Sequence, residues 1–328
     1  MTDDTHTPPP KAPAPGGKTP VNQAQNWGNY WQGRTAEETG AALAGVGVET
    51  DAQIGAFWTA ELSRCTPGAA FLDLACGAGS VVRRALEAGL TDVSGLDISK
   101  EAVAALRAAY PSAVGIVAPA DATGLDAGSF DVVTSQFGFE YADPIKAAKE
   151  SARLLRVNGR FIALTHAKDS GIEREVAANG GAAQAIVDSG FIPTAKAVFD
   201  ADLNGGSDEA FAAAAKAFSG PQSEVLKLGK AGGSLASNLY QGTQTLYERR
   251  KAYTLADITG WLDAMGAEIM AYIGRMDSMQ SAALSEAQAR GVLKTLAAGG
   301  LTPKPLLPFI SERSGESLGW IIMATDKR

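Results

Sequence analysis

Cysteine is almost absent from this chain. Cys65 and Cys76 are the only two among 328 residues, too few for a disulfide framework and without the spacing of a zinc site. That scarcity fits a reducing, cytoplasmic setting. Histidine is as rare: beyond His6 in the N-terminal tail there is only His166, and no metal site is expected. No apolar run reaches the roughly 18 residues of a membrane span, so no transmembrane segment is predicted. Positive charge is in deficit, with 29 Lys and Arg against 36 Asp and Glu, a net charge of −7 and a sequence pI of about 5.0. This argues against a nucleic acid partner held by broad phosphate contact. The opening "MTDDTHTPPPKAPAPGGKTP" has no apolar signal core, and its Pro, Thr and Lys content predicts a disordered tail over residues 1–20.

What is present is a regular alternation between residues 66 and 170. "AAFLDLAC", "DVSGLDIS", "AVGIVAPADA", "FDVVTSQF" and "RFIALTH" read as strands. The stretches between them carry helical patterns, with Ser99 as an N-cap and Pro111 as a stop in one, and an Asn158-Gly159 turn ending another. Strand and helix in turn predict a doubly wound, mostly parallel sheet with helices on both faces. Over residues 171–253 the alternation gives way to Ala-rich helical patterns, read as a mainly helical insertion in which Gly220-Pro221 ends a helix. A capping box at Thr254 and Asp257 then starts a helix. "AEIMAYIG" and "SLGWIIMA" read as two late strands, "KPLLPFI" competing with the first, so that residues 254–328 complete a seven-stranded sheet. Ahead of the core, residues 21–65 read as a helical lid segment, with Trp27, Tyr30 and Trp31 on one face.

Three carboxylates mark the ends of the first three strands. Asp73 precedes the run Ala75-Cys76-Gly77-Ala78-Gly79, Asp97 ends the second strand, and Asp121 follows the third. In an open parallel sheet, ligands bind beyond the carboxyl ends of the strands, so all three crowd one crevice. Carboxylates there suit a ligand with hydroxyls, an amino group and a positive centre. They suit a pyrophosphate badly, and Val82 stands where a dinucleotide fingerprint needs its third glycine. A nicotinamide-dependent oxidoreductase is therefore the lesser alternative. Cys76 reads as a small filler in the turn, because nothing near it in sequence would lower its pKa.

The constellation resembles the class I S-adenosylmethionine-dependent methyltransferases, in order and spacing over about residues 65–170. The resemblance implies their Rossmann-like fold and S-adenosyl-L-methionine as cofactor, with S-adenosyl-L-homocysteine as product. It implies that Asp73, Ala75, Gly77 and Gly79 form the cofactor loop, with Ala75 in place of the family's first glycine. Asp97 and Ile98 would sit at the ribose, Asp121 and Ala122 at the adenine, and Gln136 under the sulfonium, with Phe137 to Tyr141 near the acceptor.

An activated methyl needs alignment, and a hydroxyl acceptor also needs a base. His166, Glu140 and Tyr141 are the candidates. The sequence has no Asn-Pro-Pro-Tyr motif for amide or adenine methylation and no Pro-Cys pair for attack on a pyrimidine. With the acidic charge, this leaves a small-molecule or lipid-like acceptor, enclosed by Trp27, Tyr30, Trp31 and Phe137. A cofactor-binding scaffold or sensor without transfer is the alternative, since fold alone does not establish activity. The oligomeric state stays open.

Overall fold

The structure, a computed structural model, describes residues 27–28, 30–31 and 48–326; the expected tail over 1–20 lies outside the described residues. Helix α1 (Val48–Leu62) leads into β1 (Ala70–Leu74), α2 (Ser80–Glu87), β2 (Asp92–Asp97), α3 (Lys100–Ala109), β3 (Val114–Val117), β4 (Phe130–Gln136), α4 (Pro144–Leu154) and β5 (Leu155–His166). A helical run follows: α5 (Gly171–Asp188), α6 (Phe191–Leu203), α7 (Asp208–Lys230), α8 (Ser234–Glu248) and α9 (Leu255–Ala282). Then α10 (Glu286–Ala298), β6 (Leu301–Pro303), β7 (Leu307–Ile310) and β8 (Ser317–Asp326) return to the sheet.

The strand order is β3-β2-β1-β4-β5-β8-β6, with β7 also on β8. Strands β1 to β5 pair in parallel and β8 runs antiparallel to β5. Strands β6 and β7 take successive stretches of the far edge of β8. Together they fill the seventh position as one interrupted strand. Pro303, Pro305 and Pro308 explain the break, since proline cannot donate to a ladder and is tolerated at an edge.

The period-2 alternation of β1 and its neighbours feeds two cores. Phe71, Val93, Val132 and Ile162 face α1, α2 and α3. Leu72, Leu96, Val133 and Phe161 face α4 and α10. A third core lies inside the helical run, where Phe191, Phe199, Leu239, Ile258 and Leu262 meet. Helices α5 and α9 join the two regions. Ile172, Val176, Met276 and Met279 pack with the sheet core, while Ala183, Ile186, Ile258 and Ile269 belong to the third core.

Three local expectations are corrected. "AEIMAYIG" is not a strand but the middle of α9; Ile269, Tyr272, Ile273 and Met276 recur at helical spacing, and "LPFI" from the competing run forms β7. Pro221 does not end its helix but lies inside α7. The carbonyl it leaves without a donor belongs to Ala217, which is exposed and open to water. Helix α4 ends at Leu154, ahead of the Asn158-Gly159 pair, which sits within β5 with Asn158 at a φ of 65°. The capping box at Thr254 and Asp257 is formed, and α9, which it starts, carries the helical run beyond residue 253, where the sequence reading closes the insertion.

Candidate active site

The strand order reverses between β1 and β4, and a cavity of about 640 Å³ opens there, within the range of small-molecule sites. Its floor is the loop between β1 and α2. Ala75, Gly77 and Gly79 all adopt left-handed backbone angles, with φ of 52°, 54° and 96°. Glycine enters that region freely; alanine does so only at a cost of about 1–2 kcal/mol, so the surroundings hold Ala75 in place. Gly77 is required for a second reason. A Cβ there would stand 2.6 Å from the Trp31 ring, which lies directly on the loop.

Asp97 braces this loop. One carboxylate oxygen accepts from the Gly77 N–H (2.9 Å) and the other from the Ser99 N–H (2.8 Å). Ser99 in turn caps α3 through the Ala102 N–H. Burial pushes the Asp97 carboxyl above its ordinary range, and the backbone donors oppose that. With about four lone-pair sites, the carboxylate keeps capacity for a further donor beyond these backbone groups.

Gly77, Gly79, Asp97, Ile98, Asp121, Gln136, Phe137, Tyr141, His166, Trp27 and Trp31 all line the cavity, as does Ala75. Four other predicted residues do not stand on its wall. Ala122 is exposed just outside it. Tyr30 stands behind, its ring edge-on to Trp27 and Trp31 at 5.8 and 5.1 Å. Glu140 is fully buried behind His166. Asp73 lies beneath the loop because β1 is central and buried on both faces, and it accepts from the Thr134 hydroxyl at 2.8 Å.

Burial, helped by the nearby Asp97 charge, pushes the Asp73 carboxyl up to about 7. Its folded value lies above its unfolded one, so the folded protein holds an extra proton between the two. Stability from this group is present at acid pH and lost as pH rises through about 7, by at most about 1.4 kcal/mol per pH unit. Chemical denaturation between pH 5 and 8 is expected to show the wild type declining more steeply than Asp73→Asn. Parallel curves would remove Asp73 as the cause.

Part of the cavity wall is aromatic. Trp27 stands edge-on to Tyr141 at 5.3 Å, and Phe137 stacks obliquely on His166 at 4.7 Å. Phe137 has a φ of 49°, unfavourable for a bulky residue. The Glu140 Oε1 lies 2.8 Å from His166 Nδ1 and also accepts from the His166 backbone N–H at 2.9 Å. Burial and the Glu140 charge push the Tyr141 phenol well above its usual range, which makes it a poor base. The Cys76 thiol is pushed up by burial and by Asp97 and Asp73, so it fills the turn rather than attacking.

Sequence reasoning missed Trp58, whose indole N–H donates to Gln136 Oε1 at 2.6 Å. Indole only donates, so the amide oxygen is engaged there and the NH₂ edge remains for the cavity. A buried tryptophan always needs an acceptor; that was the available signal, and it does not name the partner. Asp143 and Lys146, also on the wall, were missed as part of an ordinary helix start.

The family of methyltransferase domains matches residues 72–163. An uncharacterized methyltransferase of Mycobacterium tuberculosis is 37% identical over 98 residues, and one of Mycobacterium bovis matches equally. The match takes in 30% of this chain and 40% of the length of those relatives. Among solved structures, the YcgJ protein of Bacillus subtilis is 22% identical, with 40% of this chain and 59% of that one covered and a TM-score of 0.35. Geranyl diphosphate C-methyltransferase of Streptomyces coelicolor A3(2) is 12% identical, with 93% and 98% covered and a TM-score of 0.46. The likeness of this chain to methyltransferases lies in the core from Leu72 to Ala163.

Proposed function

We propose that this protein transfers a methyl group from S-adenosylmethionine to a small, largely apolar acceptor by direct in-line attack. One observation carries the reading: a single cavity is lined by the glycine loop with Asp97 and Asp121 and also by Trp27, Phe137, Tyr141 and His166. The first set suits hydroxyls, an amino group and positive charge; the second suits an apolar ring or chain. The cofactor, when bound, supplies a methyl group already activated by its positive sulfonium.

Asp97 would accept from ribose hydroxyls with the capacity its backbone donors leave, and Asp121 from the adenine amine. Gly77 and Gly79 let the backbone approach. The task left to the aromatic set is alignment and exclusion of water. Trp31 on the loop and Trp27 against Tyr141 close one side. The helical run supports the other. It leaves β5 directly after His166, and α9 packs against the turn at Phe139–Tyr141. Covers of this kind carry specificity while the sheet holds the cofactor.

Calorimetry of the full chain is expected to show binding of S-adenosylmethionine and S-adenosylhomocysteine and markedly weaker binding of NAD. Tighter binding of NAD would overturn the reading. Labelled cofactor with metabolite extracts, followed by mass spectrometry, then identifies the acceptor.

A further inference from the structure

We propose that His166 is the general base of the reaction, held by Glu140, and that the acceptor is therefore a hydroxyl compound. This rests on the methyltransferase reading above. Two facts point to it. His166 lines the cavity, yet its Nε2 is buried and has no hydrogen-bond partner among the described residues. The opposite nitrogen, Nδ1, is held by Glu140. A carboxylate only accepts, so Nδ1 carries the proton and Nε2 presents its lone pair. A buried polar atom left unpaired is costly, and in a native protein it calls for an explanation. An acceptor O–H supplies the missing partner.

Glu140 is shaped for positioning. Its Oε1 binds both the Nδ1 and the backbone N–H of the same histidine, and its side chain has no exposure. It fixes tautomer and ring orientation and compensates the imidazolium that forms. Phe137 and Tyr141 confine the ring, at centroid distances of 4.7 and 5.8 Å.

In the step itself the acceptor O–H bond breaks and its proton goes to Nε2. The electron pair stays on oxygen and forms the bond to the methyl carbon. The pair of the carbon–sulfur bond leaves with sulfur and cancels its positive charge. An amine that attacks with a free lone pair has no need of a base at that moment. The other titratable groups of the cavity wall are Cys76, Asp97, Asp121, Tyr141, Asp143 and Lys146, with Glu140 buried behind His166 and Arg275 on α9 over the Tyr30 ring. Glu140 meets the imidazole directly, its Oε1 lying 2.8 Å from Nδ1.

The first test needs no turnover. Only His6 and His166 contribute imidazole signals, so ¹⁵N NMR of histidine-labelled full chain reads the tautomer directly. Nδ1–H with an unprotonated Nε2 is expected; an Nε2–H tautomer overturns the proposal. The second test compares variants. His166→Asn keeps an amide N–H where Nδ1 donates to Glu140 but removes Nε2. It is expected to fold, to bind S-adenosylhomocysteine as the wild type does, and to lose about a hundredfold or more in kcat. Glu140→Gln is expected to lose less and to shift the ascending limb of the kcat–pH profile to lower pH, which a merely structural role would not do.

Matched phenols and anilines are the acceptor probes. Methylation of the phenols is expected; preferred methylation of the anilines, or full activity in His166→Asn, overturns the proposal while the methyltransferase reading stands. Failure to bind either sulfur nucleotide would strike the functional reading and, with it, the proposed base.

Discussion

Replacing Asp97 with alanine is expected to lower affinity for S-adenosylmethionine by at least tenfold and to destabilise the apo protein as well. The sequence alone suggests a residue that serves only the ligand. The structure adds a task within the fold, since the carboxylate already accepts from Gly77 and Ser99. Hydrogen bonds to a charged group contribute roughly 1.5–3 kcal/mol each. Alanine removes both braces, so the Gly77 N–H loses its partner and the loop keeps the Cys76 N–H bond to the Leu96 carbonyl but loses its side-chain tie to the end of β2. It also removes the acceptors proposed for the ribose. Asp97→Asn keeps one accepting oxygen and turns an NH₂ toward the other donor, so it is expected to fall between wild type and alanine. Calorimetry gives the affinities, and denaturation without ligand gives the stabilities. Asp97→Ala with unchanged affinity would take this residue out of the cofactor site; weakened binding with full stability would show that the two braces are dispensable.

Much of the core was legible because local pattern and tertiary role agree there. The run from Phe71 to Leu74 is apolar but for Asp73, and it becomes a central strand buried on both faces. Glycines at 77 and 79 follow a strand, and they take the left-handed angles that a close approach requires. Ser99 reads as a cap and is one. What failed depended on distant partners. "AEIMAYIG" has the composition of a strand, and only the third core, built from α5 to α9, decides for a helix. The pairing of His166 with Glu140 spans 26 positions and results from β5 ending beside the turn after β4. The sequence offered the two residues as rivals for one role. Asp73 was placed at the ligand by strand position, but a carboxylate on a strand buried on both faces can lie beneath the loop as readily as at its mouth.

Gly319→Ala is expected to be among the most damaging single methyl additions to the fold. Nothing in "SLGWIIMA" explains a glycine, since it lies inside β8 and the strand would gain from a larger residue. Its partner in the antiparallel ladder is His166. A Cβ at Gly319 would stand 2.2 Å from the Thr165 carbonyl oxygen and 3.3 Å from the Phe137 ring. The carbonyl belongs to the backbone of β5 and cannot rotate away, so the strands must part or slide at this point. Overpacking of this kind typically costs about 1–3 kcal/mol. The displaced segment carries His166 and bears on Phe137, so the aromatic wall is disturbed while the glycine loop, on β1 and α2, is not. The expected pattern is a lowered denaturation midpoint, nearly normal binding of S-adenosylhomocysteine and loss of methyl transfer. Gly291→Ala is the control. Its Cβ would meet only Ile145 at an ordinary 3.6 Å, within α10, where alanine is favoured over glycine by roughly 0.8–1.0 kcal/mol. A Gly319→Ala protein as stable and active as wild type would show that β5 and β8 have slack where they close the site.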